Sequence, residues 1–276
     1  MQPILRFASS SCRRSRRTHA ALLAGLLFGL GAPGAVAGVP GTPTVRALAG
    51  DSNLWATAAR IALASRWILP GRATIDEHSS QDAATTHTAI TARLEDAGAR
   101  APRLTIEAVR INNEDKTQAT AQEMTHGLSE LVESLYSPDH PLGRHSSKEI
   151  RPAGETLIDG ARCRGFATHT TTDGLNLEST TWIDVALGYA RRIDYRALNL
   201  PLRRDGATIR ALSGSSDYAL DARGRWILVR HSERSDLKAS SFLGSIELLS
   251  DKTIRCEHHW EYTGPRRKAL ARLTGP

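Results

Sequence analysis

The sequence predicts an α+β fold that is mainly β: one curved antiparallel sheet with two helices against a single face. Three observations carry this. The run 154–195 reads strand, turn, strand, turn, strand, with the tight-turn dipeptides Asp159-Gly160 and Asp173-Gly174 inside it. Several stretches alternate apolar and polar residues, the pattern of a sheet with one solvated side. Helical spacing is confined to two segments, one near residue 51 and one after residue 120.

The N-terminus reads as a targeting segment. Arg6, Arg13, Arg14, Arg16 and Arg17 precede an apolar run from Ala20 to Leu30, and Ala35-Val36-Ala37 offers small residues for a signal peptidase. The run is too short to span a bilayer as a mature helix. Residues 1–37 are therefore expected to be a signal peptide, 38–50 a flexible leader, 51–264 a single domain and 265–276 a basic tail. The chain carries a net charge of +7, and the five arginines of the first segment account for most of it, leaving +2. Nucleic acid is thus not an expected partner. Export to the periplasm, with no transmembrane segment in the mature chain, is the expected localisation; an extracellular destination fits the same signal.

Asp51-Ser52 can cap the first helix, with Leu54, Ala58, Ile61 and Ala62 on one face and Pro70-Gly71 as its stop. A short strand over 74–78 follows. Residues 86–96 alternate, with Ile90, Ala92 and Leu94 on one face. Residues 103–111 alternate through Leu104, Ile106 and Ala108 and then shift phase at Val109, which predicts a bulge. Thr120 and Glu123 make a capping box for the second helix, whose apolar face is Met124, Leu128, Leu131, Val132 and Leu135. After the meander, residues 209–220 read as a strand broken by Gly214. Trp226, Leu228 and Arg230 alternate with their neighbours, and a last long strand places Ile254, Cys256, His258, Trp260 and Tyr262 on one side.

Chemistry is sparse. No G-x-S-x-G elbow, H-E-x-x-H, C-x-x-C or glycine-rich phosphate loop occurs. His258 and His259 are adjacent, so on a strand they point to opposite faces. A Cys/His cluster of Cys163, His169, Cys256 and His258 would need their strands to pair. No metal, cofactor or catalytic residue is expected; convergent Ser, His and carboxylate groups would reopen the enzymatic reading. Cys163 and Cys256 remain beyond the signal segment. In an oxidising compartment they are a candidate disulfide, with two buried free thiols as the alternative. Trp182, Trp226 and Trp260 are core residues by default, and the lining of an apolar pocket is the sharper alternative.

One resemblance adds to this reading. Ile158-Asp159-Gly160-Ala161-Arg162-Cys163, then Thr181-Trp182-Ile183-Asp184, then Gly188 and Arg191-Arg192-Ile193 resemble the central region of the bacterial periplasmic lipoprotein-carrier (LolA/LolB-like) superfamily. Ala186-Leu187-Gly188-Tyr189 stands where that family has Thr-Gly-Leu-Pro. The run is also similar to the N-terminal domain of periplasmic sigma-factor regulators, which shares the fold. The resemblance implies an unclosed half-barrel with its helices on the concave side, a cavity for acyl chains and no catalysis. Ile90, Leu94, Ile106, Met124, Leu128, Trp182, Trp226 and Trp260 would line that cavity. The expected function is a soluble carrier or sensor that binds lipid or a lipidated protein. The alternative is an envelope protein-binding module, in assembly or stress sensing, that keeps no lipid. No second domain is expected, since nothing after Tyr262 could fold alone.

Overall fold

Asp159 and Gly160 both take positive φ, 49° and 77°, the left-handed pair that a two-residue hairpin turn requires. The turn joins Ile158 to Ala161 in register and sets the pairing of the two strands that it connects. Asn112 and Asn113, at 50° and 67°, make a second turn of this kind between Ile111 and Glu114. The computed structural model describes residues 49–81, 84–95, 103–121, 142, 150–172, 175–204, 207–241 and 244–262. The segments 1–37 and 265–276, most of the leader and the helix expected over Met124, Leu128 and Leu131 lie outside the described residues, as do the Asp173-Gly174 and Asp205-Gly206 turns.

Helix α1 (Ala49–Ala64) comes first. The strands are β1 (Ile68–Leu69), β2 (Arg72–Gln81), β3 (Ala84–Glu95), β4 (Arg103–Ile111), β5 (Glu114–Asp115), β6 (Arg151–Ile158) and β7 (Ala161–Thr172). They continue with β8 (Leu175–Asp184), β9 (Ala190–Ala197), β10 (Leu202–Arg204), β11 (Ala207–Leu220), β12 (Trp226–Ser241), β13 (Gly244–Glu257) and β14 (Trp260–Glu261). Twelve of them form one antiparallel sheet in the order β5-β4-β3-β2-β13-β12-β11-β9-β8-β7-β6, with β10 beside β11. The end strands β5 and β6 do not meet, so the sheet is unclosed, as the sequence predicts.

Register assigns the two faces. A continuous row runs Val109, Ile90, Ile75, Ile254, His231, Ser216, Ile193, Thr181 and Phe166 across the sheet. This is the helix face. At its Phe166 end α1 buries Trp55, Ala58 and Ala62 against Phe166, Ile183 and Ile193. The spacing 55, 58, 62 is the narrow stripe a helix presents to a sheet. Asp51, in the first turn of α1, pairs with Arg164 of β7 and ties the start of the helix to the sheet. Farther along the same face, Ile75, Ile90, Ile106, Val109 and Ile254 form a second cluster and Ile209, Leu212, Leu237 and Leu248 a third.

Some expectations need correction. The first helix ends at Ala64, not at Pro70-Gly71, because Ile68-Leu69 turn out to form β1 and pair with β14. The bulge expected in 103–111 lies between Ile106 and Ala108, where Glu107 is the extra residue. Gly214 does not break β11. It lies inside the strand because a Cβ there would meet the Tyr195 hydroxyl oxygen at 2.4 Å. The last strand is not continuous: His258, at φ 55°, separates β13 from β14. Ile254 and Cys256 therefore join one cluster, and Trp260 and Tyr262 another.

The disulfide is also corrected. Cys163 in β7 and Cys256 in β13 are buried and free, with four strands between them in the sheet. Strand spacing puts them about 24 Å apart along the sheet, far beyond the roughly 7 Å limit for bridging Cα atoms. Burial and the Asp184 carboxylate push the Cys163 thiol up. Both thiols are therefore expected to ignore a water-soluble thiol reagent at neutral pH in the native state and to titrate fully after unfolding without reductant. A single bridged pair in that titration would contradict the sheet order.

Candidate functional site

The solvated face of the sheet carries the groove. Successive strands place Thr180, Asp194, Ser215, Ser232, Thr253 and Asp76 in one row. Six strands at about 4.8 Å make that row about 24 Å long. Two residues along each strand, on either side, lie two further rows. One is Glu178, Arg196, Ser213, Arg234, Asp251 and His78. The other is Arg192, Asp217, Arg230 and Arg255. Small hydroxyl side chains between long charged ones leave an open groove of about 880 Å³. Ser and Thr make most of its floor, with Asp76 and Asp194 among them, and its walls are mainly guanidinium and carboxylate.

The wall charges are paired with one another: Arg196 with Glu178 at 2.6 Å, Arg230 with Asp217 at 2.8 Å, and Arg234 with Asp251 at 3.7 Å. The side chains of Arg234 and Asp251 are 73% and 65% exposed. Ion pairs this exposed contribute about 0–1 kcal/mol, so an incoming charged ligand can exchange with them at little cost. Asp194 differs. Burial pushes its carboxyl up, against the Trp182 Nε1–H that donates to it at 2.7 Å and the nearby Arg192. Trp182 holds that position because it lies over Gly165, where a Cβ would meet its ring at 2.6 Å.

The residues expected to line an apolar cavity do not share one place. Ile90 and Ile106 pack in the Ile254 cluster of the helix face. Leu94 packs with Leu69 and Tyr262, and accepts a hydrogen bond on its carbonyl from Trp260 Nε1 at 3.1 Å. Trp226 packs beneath α1. Trp182 lies on the opposite, solvated face. Met124 and Leu128 are outside the described residues.

No family model matches the chain, and no curated protein matches it. Solved structures do. An outer membrane lipoprotein-sorting protein domain from Vibrio parahaemolyticus aligns at 10% identity and TM-score 0.31, over 80% of this chain and 98% of that one. A DUF1329 family protein from Desulfovibrio piger aligns at 9% identity and TM-score 0.27, over 74% and 92%. The Pseudomonas aeruginosa MucA/MucB complex aligns at 10% identity and TM-score 0.18, over 75% and 99%. The lipoprotein-sorting domain and MucB are of the two kinds that the Ile158–Ile193 run resembles. At these scores the functional reading rests on the chain's own geometry.

The helix face holds a second constellation that sequence reasoning missed. Ser216 Oγ lies 2.9 Å from His231 Nδ1, and His231 Nε2 lies 3.9 Å from Glu233 Oε2. The Tyr195 hydroxyl donates to Glu233 at 3.2 Å. Burial and the adjacent Glu233 carboxylate raise the Tyr195 phenol well above its usual range. Ser216, His231 and Glu233 are all buried. This is the convergence of Ser, His and carboxylate that would reopen an enzymatic reading. It falls short of one on two counts. The His–Glu separation exceeds a hydrogen bond, and β11 and β12 are each paired on both sides, so their amides serve the sheet rather than an oxyanion. The row extends through Lys252 to Glu77, which accepts from Ser250 Oγ at 2.7 Å. Buried polar groups satisfied in this way specify strand register.

His258 and His259 do not converge: His259 Nε2–H donates to the Leu228 carbonyl at 2.7 Å. The Cys/His cluster does not assemble either, since β7 and β13 are not neighbours. A different trio does come together on the solvated face: Asp76, His78 and His87. An extended β2 and an earlier start of β3 would have revealed it, because the hairpin then aligns His78 with His87.

Proposed function

We propose that this chain is a non-catalytic binding protein of the bacterial envelope, and that its solvated groove holds an extended segment of a protein partner. The observation that carries this is the groove's lining. A hydroxyl floor between two rows of mixed charge suits a chain that offers backbone amides and both signs of charge. An acyl chain would leave those groups without partners, and each costs about 1–3 kcal/mol when buried unpaired. Nucleic acid needs one sign, and here Arg196, Arg230, Arg234 and Arg255 face Asp76, Glu178, Asp194 and Asp251. A row about 24 Å long accommodates about seven residues of extended polypeptide.

The sheet edges support face recognition over strand addition. β5 has two residues. β6 carries Pro152, a register shift between Pro152 and Glu155, and Gly154 at φ 92°. Proline and an irregular edge strand block pairing with another chain. Among the described residues no helix is long and apolar enough to cross a membrane. The signal peptide expected over 1–37 supplies the route to the periplasm under this reading. The MucA/MucB complex is a precedent for partner binding by a chain of similar fold.

The second reading is an acyl carrier. It is favoured by one observation: α1 covers only the Phe166 end of the helix face, and the clusters around Ile254 and Leu248 continue beyond it. Ile90, Leu94, Ile106 and Trp226, with Met124 and Leu128, would then serve a lipid.

A photo-crosslinking residue at Ser215 or Ser232, introduced in living cells, separates the two. The expected result is one protein adduct of discrete mass that survives organic extraction. It should weaken with added salt and disappear in the Arg230→Glu/Arg255→Glu variant. An adduct insensitive to that variant, or native mass spectrometry showing a bound acyl mass and no protein adduct, overturns the groove reading.

A further inference from the structure

We infer that Asp76, His78 and His87 form a binding site for a divalent first-row transition metal ion at the β2–β3 end of the sheet's solvated face. Register brings the three residues together. His78 and His87 are direct cross-strand partners, and Asp76 precedes His78 by two residues, so all three side chains leave the same face. Their geometry is already close to a coordination sphere. Asp76 Oδ1 lies 3.1 Å from His87 Nε2 and 3.4 Å from His78 Nδ1. All three ligand atoms lie within 4.8 Å of one another. Zinc–ligand bonds of about 2.0–2.1 Å in a tetrahedron place donor atoms about 3.3 Å apart. Two of the three spacings meet that value, and the distance between the two imidazole nitrogens, within 4.8 Å, has at most about 1.5 Å to close.

Closing it is easy. The two rings stack at 4.4 Å with an interplanar angle of 18°. The His78 and Asp76 side chains are 62% and 49% exposed, so rotation meets little packing. The backbone is held where it matters, because the His87 N–H donates to Asn112 Oδ1 at 2.8 Å. Charge also favours a cation. On the other side of His78 the cross-strand partner is Asp251, a second carboxylate on this face. Asp251 or water can complete a fourth position. Two imidazoles and a carboxylate are the donor set of zinc, copper(II) or nickel, not of calcium or magnesium, which take oxygen ligands. The site shares Asp76 and His78 with one end of the groove, but it rests on register and donor geometry and not on what the groove holds.

The test uses the protein purified without a histidine tag. Isothermal titration with Zn²⁺ is expected to show one equivalent bound per chain. His78→Ala and His87→Ala are each expected to weaken binding by more than about tenfold, since loss of an outer-sphere partner alone costs about that much. Asp76→Asn should weaken it as well. The thermal melts of these variants should stay close to the parent's, because none of the three side chains is buried. With Cu²⁺, the electron paramagnetic resonance spectrum should show two coordinated imidazole nitrogens, falling to one in either His variant. Absence of Zn²⁺ binding at about millimolar metal, or binding undiminished in the His78→Ala/His87→Ala variant, overturns the assignment. The second outcome would place the ion on other residues of the chain.

Discussion

Asp184→Ala is expected to destabilise the folded chain by about 3–5 kcal/mol, the cost of leaving one partner of a buried ion pair alone. Asp184 sits at the end of β8 and is 2% exposed. Its Oδ1 accepts from the Ala186 and Leu187 amides at 2.8 and 2.9 Å, and its Oδ2 accepts from Arg191 Nε at 2.7 Å. Gly188, at φ 71°, donates back to the Asp184 carbonyl and closes the turn into β9. One carboxylate thus satisfies two loop amides and a guanidinium that is itself largely buried. Burial pushes its carboxyl up, but the Leu187 amide, Arg191 and the Ala186 amide outweigh that, and its pKa lies below the ordinary value of 3.8. A depressed folded-state pKa stabilises the chain above the unfolded value of about 3.9 and loses that contribution as pH falls through the folded one. Denaturant unfolding at pH 7 should therefore show the full difference between parent and variant, and the difference should shrink below about pH 4. Asp184→Asn, which keeps an acceptor for the turn but loses the charge, should fall between them. A difference below about 1 kcal/mol at pH 7, within the ordinary range for a surface substitution, would show that the turn is held by backbone alone.

That turn shows what could be read in advance. Asp159-Gly160, Gly188 and Asp221-Gly224 announce themselves, because few residues take positive φ and each fixes a local hairpin. One-sided alternation in 86–96 and 103–111 shows which residues face inward, so the sheet and its order of elements were legible. The groove was not. Its rows are made by six strands whose register comes from turns and bulges spread over residues 72–257, and a one-residue slip would exchange the faces. Ser215, Ser232 and Thr253 look like ordinary polar strand residues until register aligns them. The same holds for His78 and His87, where ending a strand three residues early concealed a pair. Trp182 misled in the opposite way. An aromatic in a strand reads as core, but Gly165 opposite it gives the ring room on the solvated face. Cys163 and Cys256 are the limiting case, since pairing two thiols from composition assumes a proximity that only the strand order can supply.

Trp226→Ala is expected to cost about 3–5 kcal/mol, the range for emptying a large aromatic site in a core. Trp226 opens β12 immediately after the Asp221–Gly224 turn, whose Asp221 carboxylate accepts from the Arg223 and Arg225 amides and from the Arg225 guanidinium. The turn therefore delivers the indole to a fixed place. Trp226 is 6% exposed and packs in the cluster beneath α1. Its ring stacks on Tyr218 at 3.9 Å and 12°, and its Nε1–H donates to the Ala190 carbonyl at 2.7 Å. Its backbone amide donates to Ser65 Oγ, one residue past the end of α1. Helix, β9, β11 and β12 thus meet at a single side chain, and removing it opens a void that three elements would have to move to fill. Trp226→Phe keeps most of the apolar area but leaves the Ala190 carbonyl without its donor, so about 1–3 kcal/mol is expected there. Denaturant unfolding of both variants, followed by circular dichroism, supplies the measurement. The same experiment decides between core and cavity for this residue. A tryptophan lining an acyl site is packed on one side only, so truncation would cost little stability and would change the binding of a fluorescent fatty-acid probe. A loss below about 1 kcal/mol together with altered probe binding would move Trp226 from the core to a ligand site. A loss in the full range, with no probe bound by the parent, would fix it as the keystone between α1 and the sheet.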